Sequence, residues 1–338
     1  MRLKDILLNS KALQTLGLSL VLSSPFLVPL LPMLMWYMGR WLPRRLAQTP
    51  RWFLLIYVLW AWGLDKTQPF RGGRPIHWLR SNWIWELFRR YFSTSIVHAD
   101  KTKLEEIAKQ GKACVFGYHP HGWFAVGALG NLIAHNPDAF PLGMQVRVAA
   151  ASINSWVPIW RDFCMALNTV DAGRQSLEYC LSHGISVVIL IGGADEARYA
   201  RPNSLDLILA RRKGFVRLAM EQGASLVPMI CFGESDLFEP IFGDSDDWVN
   251  AFQNWFRSRF GFVLPFIRGS CGLVPFRKDL TLIIGEPVDV PALNPAPDHL
   301  VDYWHGMYMT EVQKLFYRYR RKFCSESHQG IHIKDAKL

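Results

Sequence analysis

Several signatures that would settle a function class are missing from this chain of 338 residues. No C-x-x-C pair occurs among its six cysteines, Cys114, Cys164, Cys180, Cys231, Cys271 and Cys324. Cysteines this scattered do not make a secreted disulfide framework and fit reduced thiols facing the cytosol. Zinc-finger spacing, an arginine-rich tail and a basic-aromatic RNA signature are all absent, so nucleic acid is not an expected partner. No G-x-S-x-G occurs, which removes the nucleophile elbow of the serine hydrolases. Internal repeats and low-complexity tracts are lacking too. Charge is scarce: 20% of residues are charged against 50% hydrophobic, enough to bury a sizeable core.

What is present points elsewhere. The 14 tryptophans and 21 phenylalanines exceed the needs of such a core and suggest contact with lipid. The net charge of +10 suits an anionic membrane or a polyphosphate-bearing substrate. Two apolar blocks lie at the front. Residues 15–38 carry no charge and are long enough to cross a bilayer core, while Pro25, Pro29 and Pro32 predict a kinked or re-entrant helix. Residues 52–64 are too short to span as a regular helix. Arg40, Arg44, Arg45 and Arg51 between the blocks favour a cytosolic loop. The expectation is a membrane-embedded hairpin over residues 1–83, the alternative being a pair of buried core helices. The first block runs too far for a cleavable signal.

From about residue 84 the pattern becomes short apolar runs alternating with amphipathic stretches, a second unit over residues 84–338. Residues 113–118, 186–193, 226–234 and 280–288 read as strands buried on both faces. Two intervening helices end at Gly184 and Gly223, where a left-handed cap is wanted. The expected fold class is therefore α/β, with a largely parallel central sheet flanked by helices. Residues 301–323 read as a long amphipathic helix with a basic end.

The stretch FGYHPHGWF (residues 116–124) puts His119 and His121 at the end of a strand, where α/β sheets place ligands. His119 precedes a proline and is pushed towards extended backbone. Residues 123–135 read as a helix whose positive end would keep the His121 ring neutral, as a general base requires. A structural pair capping the strand and a metal site are the competing readings. A catalytic imidazole needs a carboxylate to fix its tautomer, and none follows within six residues. ILIGGADEA supplies one from another strand end: Gly192 and Gly193 close an apolar run, and Asp195 and Glu196 follow. The bland reading of those acids is an ordinary helix N-terminus. Glu234 also ends a buried strand and is a secondary site candidate.

RRYFSTSIV (89–97), YHPHG (118–122), GGADE (192–196), RKGFVRLAMEQGASLVPMICFGE (212–234) and GEPVDVP (285–291) occur in that order. Together they resemble the type 2 diacylglycerol acyltransferase family, which includes monoacylglycerol and wax-alcohol acyltransferases. The resemblance runs from residue 84 to about 323 and includes the hydrophobic N-terminal hairpin. Ser93 departs from it, standing where the family's Y-F-P stretch has proline.

The resemblance implies a glycerolipid-acyltransferase-like fold and transfer of a fatty acyl group from coenzyme A to a lipid hydroxyl. It favours Glu196 over Asp195 as the acidic partner. His121, or His119, would take the acceptor's proton, and backbone N–H groups near Gly122 or Gly193 would stabilise the oxyanion. Acyl-CoA is then a co-substrate, with no tightly bound cofactor and no metal expected. Its phosphates call for cations: Arg212, Lys213 and Arg217 fall together, with Arg268, Arg277 and Lys278 in a following basic segment. A solvated or membrane-facing basic surface is the plain alternative for each. The partners implied are acyl-CoA, diacylglycerol or a related lipid alcohol, and the bilayer or lipid-droplet surface. The implied location is the endoplasmic reticulum and lipid droplet, with the active domain facing the cytosol. A homo-oligomer is compatible with the chain, which is silent on oligomeric state. The rival from another class is a non-catalytic lipid-binding protein.

Overall fold

A computed structural model describes residues 7–43, 45–242, 247–260, 263–270 and 272–335; Arg44 and Cys271, named above, lie outside them. The strands are β1 (Ser95–His98), β2 (Cys114–His119), β3 (Val146–Ala150), β4 (Thr169–Asp171), β5 (Ser186–Leu190), β6 (Leu205–Ile208), β7 (Ser225–Phe232), β8 (Glu239–Pro240), β9 (Ile267–Arg268), β10 (Thr281–Ile284) and β11 (Ile331–Lys334). Seven form one sheet in the order β1-β10-β7-β2-β5-β3-β4, flanked by two small ribbons, β6-β11 and β8-β9. Every neighbouring pair in the large sheet is parallel except β10 with β7. The largely parallel α/β class therefore holds. The run at 280–288, expected among parallel strands, instead supplies the antiparallel partner of β7.

Alternation along fully buried strands sends side chains into two cores. Val115 of β2 packs with the helices Arg174–Ser182, Gly214–Gln222 and Asp298–Phe323 on one face. Cys114, Phe116 and Tyr118 pack on the other face with Phe88, Tyr91 and Leu104. The two expected helix ends hold, with Gly184 at φ 71° and Gly223 at φ 62°. The long C-terminal helix begins at Asp298, three residues before the expected 301. Ser93 takes φ 45°, a conformation closed to proline, so the local turn cannot carry the residue that the resembled pattern has there.

Residues 123–135 do not form the regular helix expected of them. Helix starts at Val126, after Ala125 in a left-handed conformation (φ 51°), and widens into a π-type turn over Leu129–Ile133. Gly127 and Gly130, close-packed against Cys231 and Phe88, weaken regular winding there.

At the front, one helix runs from Lys11 to Met38, with a 3-10 turn at Val28–Leu30 where the prolines interrupt it. It is long and apolar enough to cross a membrane, at about 42 Å. Its first turns dock on the helix Trp83–Tyr91. Gly17 lets Leu87 approach, and buried Gln14 accepts from Arg277 Nη1 at 2.7 Å. Beyond Leu27 most side chains face outward, and Thr49–Leu59 folds back against Leu31–Met38. That second helix is pinned to the domain: Tyr57 donates to Asp162 at 2.5 Å, and fully buried Arg161 donates to Ala61 O at 2.6 Å.

Candidate active site

The YHPHG loop leaves the carboxyl end of β2 at the centre of the sheet, between β5 and β7. His119 is wholly buried, with Nε2 3.1 Å from the Tyr308 hydroxyl. Tyr308 in turn donates to Gly117 O at 3.3 Å, so Nε2–H of His119 is the donor to Tyr308 and Nδ1 is left without a partner. Burial depresses this imidazole to about 3. The ring is neutral and lies buried beneath the loop. Tyr308 lies 189 residues from His119, and no local signal could have paired them.

His121 differs. It is partly exposed, and its Nδ1 lies 2.9 Å from Gly122 O. A carbonyl can only accept, so Nδ1 carries the hydrogen and Nε2 keeps its lone pair. Burial also lowers this ring's pKa, partly offset by the Gly122 carbonyl. The neutral state expected from a helix dipole is therefore reached by desolvation. The nearby helix start serves another group.

That group is Glu234. Its carboxylate accepts from Val126 N–H and Gly127 N–H, both at 2.7 Å, and from the Tyr118 hydroxyl at 3.1 Å. Glu196 is built alike: Oε1 accepts from the backbone N–H of His121 at 2.5 Å and Oε2 from Ile208 N–H at 3.0 Å. Glu196 is thus brought to His121 but grips its backbone, so it does not fix the imidazole's tautomer as expected; Gly122 O does. Burial pushes both carboxyls up to about 7 against the pull of their N–H donors. Two buried acids clamp the loop from either side.

The glycines make room for the clamp. A Cβ on Gly122 (φ 58°) would lie 2.8 Å from the Glu234 carboxylate, and one on Gly192 would fall inside that of Glu196. Gly193 (φ 57°) opens the short helix Gly193–Ala197.

Two clefts draw residues from either side of that helix in sequence, Ile191 before it and Tyr199 after it. In one of them Asp195 holds Arg212 at 2.5 Å, in a pocket of about 470 Å³ lined also by Arg174, Arg211, Lys213, Ile191 and Phe215. Each cation there has a carboxylate partner: Lys213 meets Asp302 at 2.7 Å, Arg211 meets Asp335, and Arg174 meets Glu178 at 2.6 Å. The other cleft, of about 300 Å³, is walled by Trp123, Tyr199, Phe242 and Phe266 together with Arg198, Arg201 and Lys334. Arg217 lines neither; it pairs with Asp298. Arg268 sits on β9 and pairs with Glu239 of β8 at 2.7 Å. Arg277 is taken up by Gln14 and stacks 4.1 Å over the Tyr91 ring. The anticipated basic set is therefore not gathered in one place, while Arg174 and Arg211 join Arg212 unannounced. Among the described residues no group of three or more His, Cys, Asp or Glu is placed to hold a metal.

Comparison with known proteins decides what this architecture belongs to. A family model described as diacylglycerol acyltransferase matches residues 45–334. The chain belongs to the diacylglycerol acyltransferase family. It is 33% identical over 290 residues to Diacylglycerol O-acyltransferase 2A of Umbelopsis ramanniana, covering 81% of this chain and 79% of that one. It is 33% identical over 296 residues to 2-acylglycerol O-acyltransferase 1 of Homo sapiens, covering 83% and 86%. Acyl-CoA wax alcohol acyltransferase 1 of Homo sapiens is likewise 33% identical over 285 residues, covering 81% and 84%. A diacylglycerol acyltransferase family member is an acyltransferase, which sets aside the non-catalytic lipid-binding reading. The three relatives carry different acceptors in their names at equal identity.

Proposed function

We propose that the chain transfers a fatty acyl group from acyl-CoA to the free hydroxyl of diacylglycerol, giving triacylglycerol, with His121 as general base. The observation that carries this is His121 itself, a partly exposed residue whose ring is kept neutral by desolvation, with Nδ1–H committed to Gly122 O so that Nε2 is basic. Nε2 takes the hydroxyl proton as the oxygen bonds to the thioester carbonyl carbon. N–H groups of the turn after His121 meet the developing oxyanion. The intermediate collapses with cleavage of the C–S bond, and the proton passes from Nε2 to the departing CoA thiolate. Glu196 and Glu234 fix the loop on which these groups stand.

The nucleotide end of acyl-CoA fits the pocket of Arg174, Arg211, Arg212 and Lys213, where exchange of exposed ion pairs for phosphate costs little. The aromatic wall of the cleft beside Trp123 suits the acyl chains of the lipid acceptor. The exposed apolar hairpin suits an endoplasmic reticulum or lipid-droplet surface, with the sheet domain on the cytosolic side. A monoacylglycerol or wax-alcohol acceptor is the second reading, favoured by the equal identity to relatives so named. The test is purified protein with labelled acyl-CoA against diacylglycerol, monoacylglycerol and long-chain alcohol. Triacylglycerol as the dominant product is expected; exclusive labelling of another acceptor overturns the acceptor, and labelling of none overturns the activity.

A further inference from the structure

A third cleft, of about 430 Å³, lies at the opposite edge of the sheet from the YHPHG loop. It is bounded by Val146 and Arg147 at the start of β3 and by Asn168 just before β4. Val146 is in register with Ser186, the first residue of β5, and β5 reaches the catalytic edge only at its far end. A five-residue strand puts the two edges about 16 Å apart.

Its chemistry is unlike that of the basic pocket. Arg80 donates through Nε to Ile133 O at 2.9 Å, and Arg147 donates to Gly72 O at 2.7 Å, Val146 O at 3.1 Å and Asn168 Oδ1 at 3.4 Å. Among the described residues neither arginine meets a carboxylate, and Asp138, between the lining residues Pro137 and Ala139, pairs with neither. The rings of His77 and His135 lie 4.8 Å apart at the same cleft. Asn131, wholly buried, also lines it, and its Nδ2 has no acceptor. Burial and mutual repulsion bring Arg80 down to about 10, as expected of cations with no counter-charge. Two half-buried guanidiniums, bonded to carbonyl oxygens but among the described residues to no carboxylate, stand beside an unpaired amide N–H.

The rim is apolar and faces outward. Leu142 is completely exposed, and Trp78, beside His77, is 71% exposed. Ala134 of the cleft wall belongs to a small core that Val21 joins. The cleft therefore sits next to the place where the long apolar helix leaves the domain. A soluble phosphate needs the donors only; an anionic phospholipid also explains the exposed apolar rim and the neighbouring helix.

We propose that this cleft is a second binding site, outside the catalytic edge, for the phosphate of an anionic phospholipid at the membrane surface. Arg80 and Arg147 take the phosphate oxygens, Asn131 Nδ2 donates from the floor, and Leu142 and Trp78 rest among the acyl chains. The test reads binding and not acyl transfer, so it stands apart from the catalytic proposal.

The purified full chain in neutral detergent is titrated with phosphatidate, phosphatidylcholine and inorganic phosphate, and retained lipid is counted by native mass spectrometry. Phosphatidate should be retained at least about tenfold more strongly than phosphatidylcholine, with inorganic phosphate displacing it only weakly. Arg80→Gln and Arg147→Gln should each weaken retention about tenfold or more, as loss of a charge-assisted contact requires. Both arginines also bond backbone, so His77→Glu, on an exposed residue, supplies a variant expected to fold normally and to lose phosphatidate by repulsion. Equal retention of the two lipids, or a folded His77→Glu chain that binds phosphatidate unchanged, overturns the site. Displacement of phosphatidate by equimolar inorganic phosphate overturns the lipid as its occupant.

Discussion

The carboxylate of Glu196 lies 2.5 Å from the backbone nitrogen of His121, not from its ring. An acid 75 residues away thus decides where the imidazole stands, while the tautomer is set next door by Gly122 O. Positioning and proton affinity are controlled by different groups. They can be separated by experiment.

His121→Ala should lower kcat by about a hundred- to ten-thousandfold, the usual contribution of a positioned base, with little change in melting temperature. His119→Ala should instead lower the melting temperature, because it empties a fully buried site and removes the N–H donor to the Tyr308 hydroxyl. Activity and thermal unfolding measured on the same preparations check both. A His121→Ala enzyme with near-normal kcat would remove this ring from the mechanism.

Glu196→Gln should reduce kcat yet leave the acid limb of the kcat/KM pH profile where it was, since the carboxylate does not touch the ring. Combined with His121→Ala it should add little further loss, because a loop held for an absent base has no rate to protect. A limb that moves by a full pH unit would mean that Glu196 acts on the imidazole directly.

Glu234→Gln should destabilise the fold, since an amide group must then face one of the Val126 and Gly127 N–H donors, at about 1–3 kcal/mol. Its pH dependence has a definite sign. The folded value near 7 exceeds the ordinary 4.5, so the folded chain holds a proton that the unfolded chain loses between those pH values. That stabilisation is full below about 4.5 and gone above about 7. The difference in melting temperature between wild type and Glu234→Gln should therefore be larger at pH 5.5 than at pH 8. A gap that widens with rising pH would contradict the buried, raised carboxyl.

Arg212→Gln and Lys213→Gln should raise the KM for acyl-CoA more than that for the lipid acceptor, since both line the basic pocket. Arg217→Gln and Arg268→Gln should leave it nearly unchanged. Initial rates with each substrate varied in turn decide the matter. An equal effect from all four would move the donor site away from this pocket.

Phe53→Asp with Ile56→Asp should release protein from membranes on carbonate extraction. Both side chains face outward on the helix Thr49–Leu59, and a carboxylate in the middle of a bilayer costs about 3 kcal/mol. Wild type should stay in the pellet. Quantitative release of wild type would dismiss the embedded hairpin.

The sequence by itself determined the sheet's central strands, because β2, β5 and β7 are apolar on both faces and only doubly covered strands look like that. It determined two helix ends through Gly184 and Gly223, where a left-handed backbone favours glycine, and it placed the two histidines at a strand end. Short elements escaped it: β3 carries Arg147 and β4 has three residues, too few for any period to register. The roles of the two histidines were also illegible, since Tyr308, Glu196 and Glu234 reach the loop from 189, 75 and more than 100 residues away. Burial did the rest: of two identical imidazoles two residues apart, one is wholly buried against Tyr308 and the other belongs to a partly exposed residue with its Nδ1 on Gly122 O. Only the folded chain sorts side chains by what surrounds them, and desolvation, which sets their proton affinities, has no trace in the order of residues.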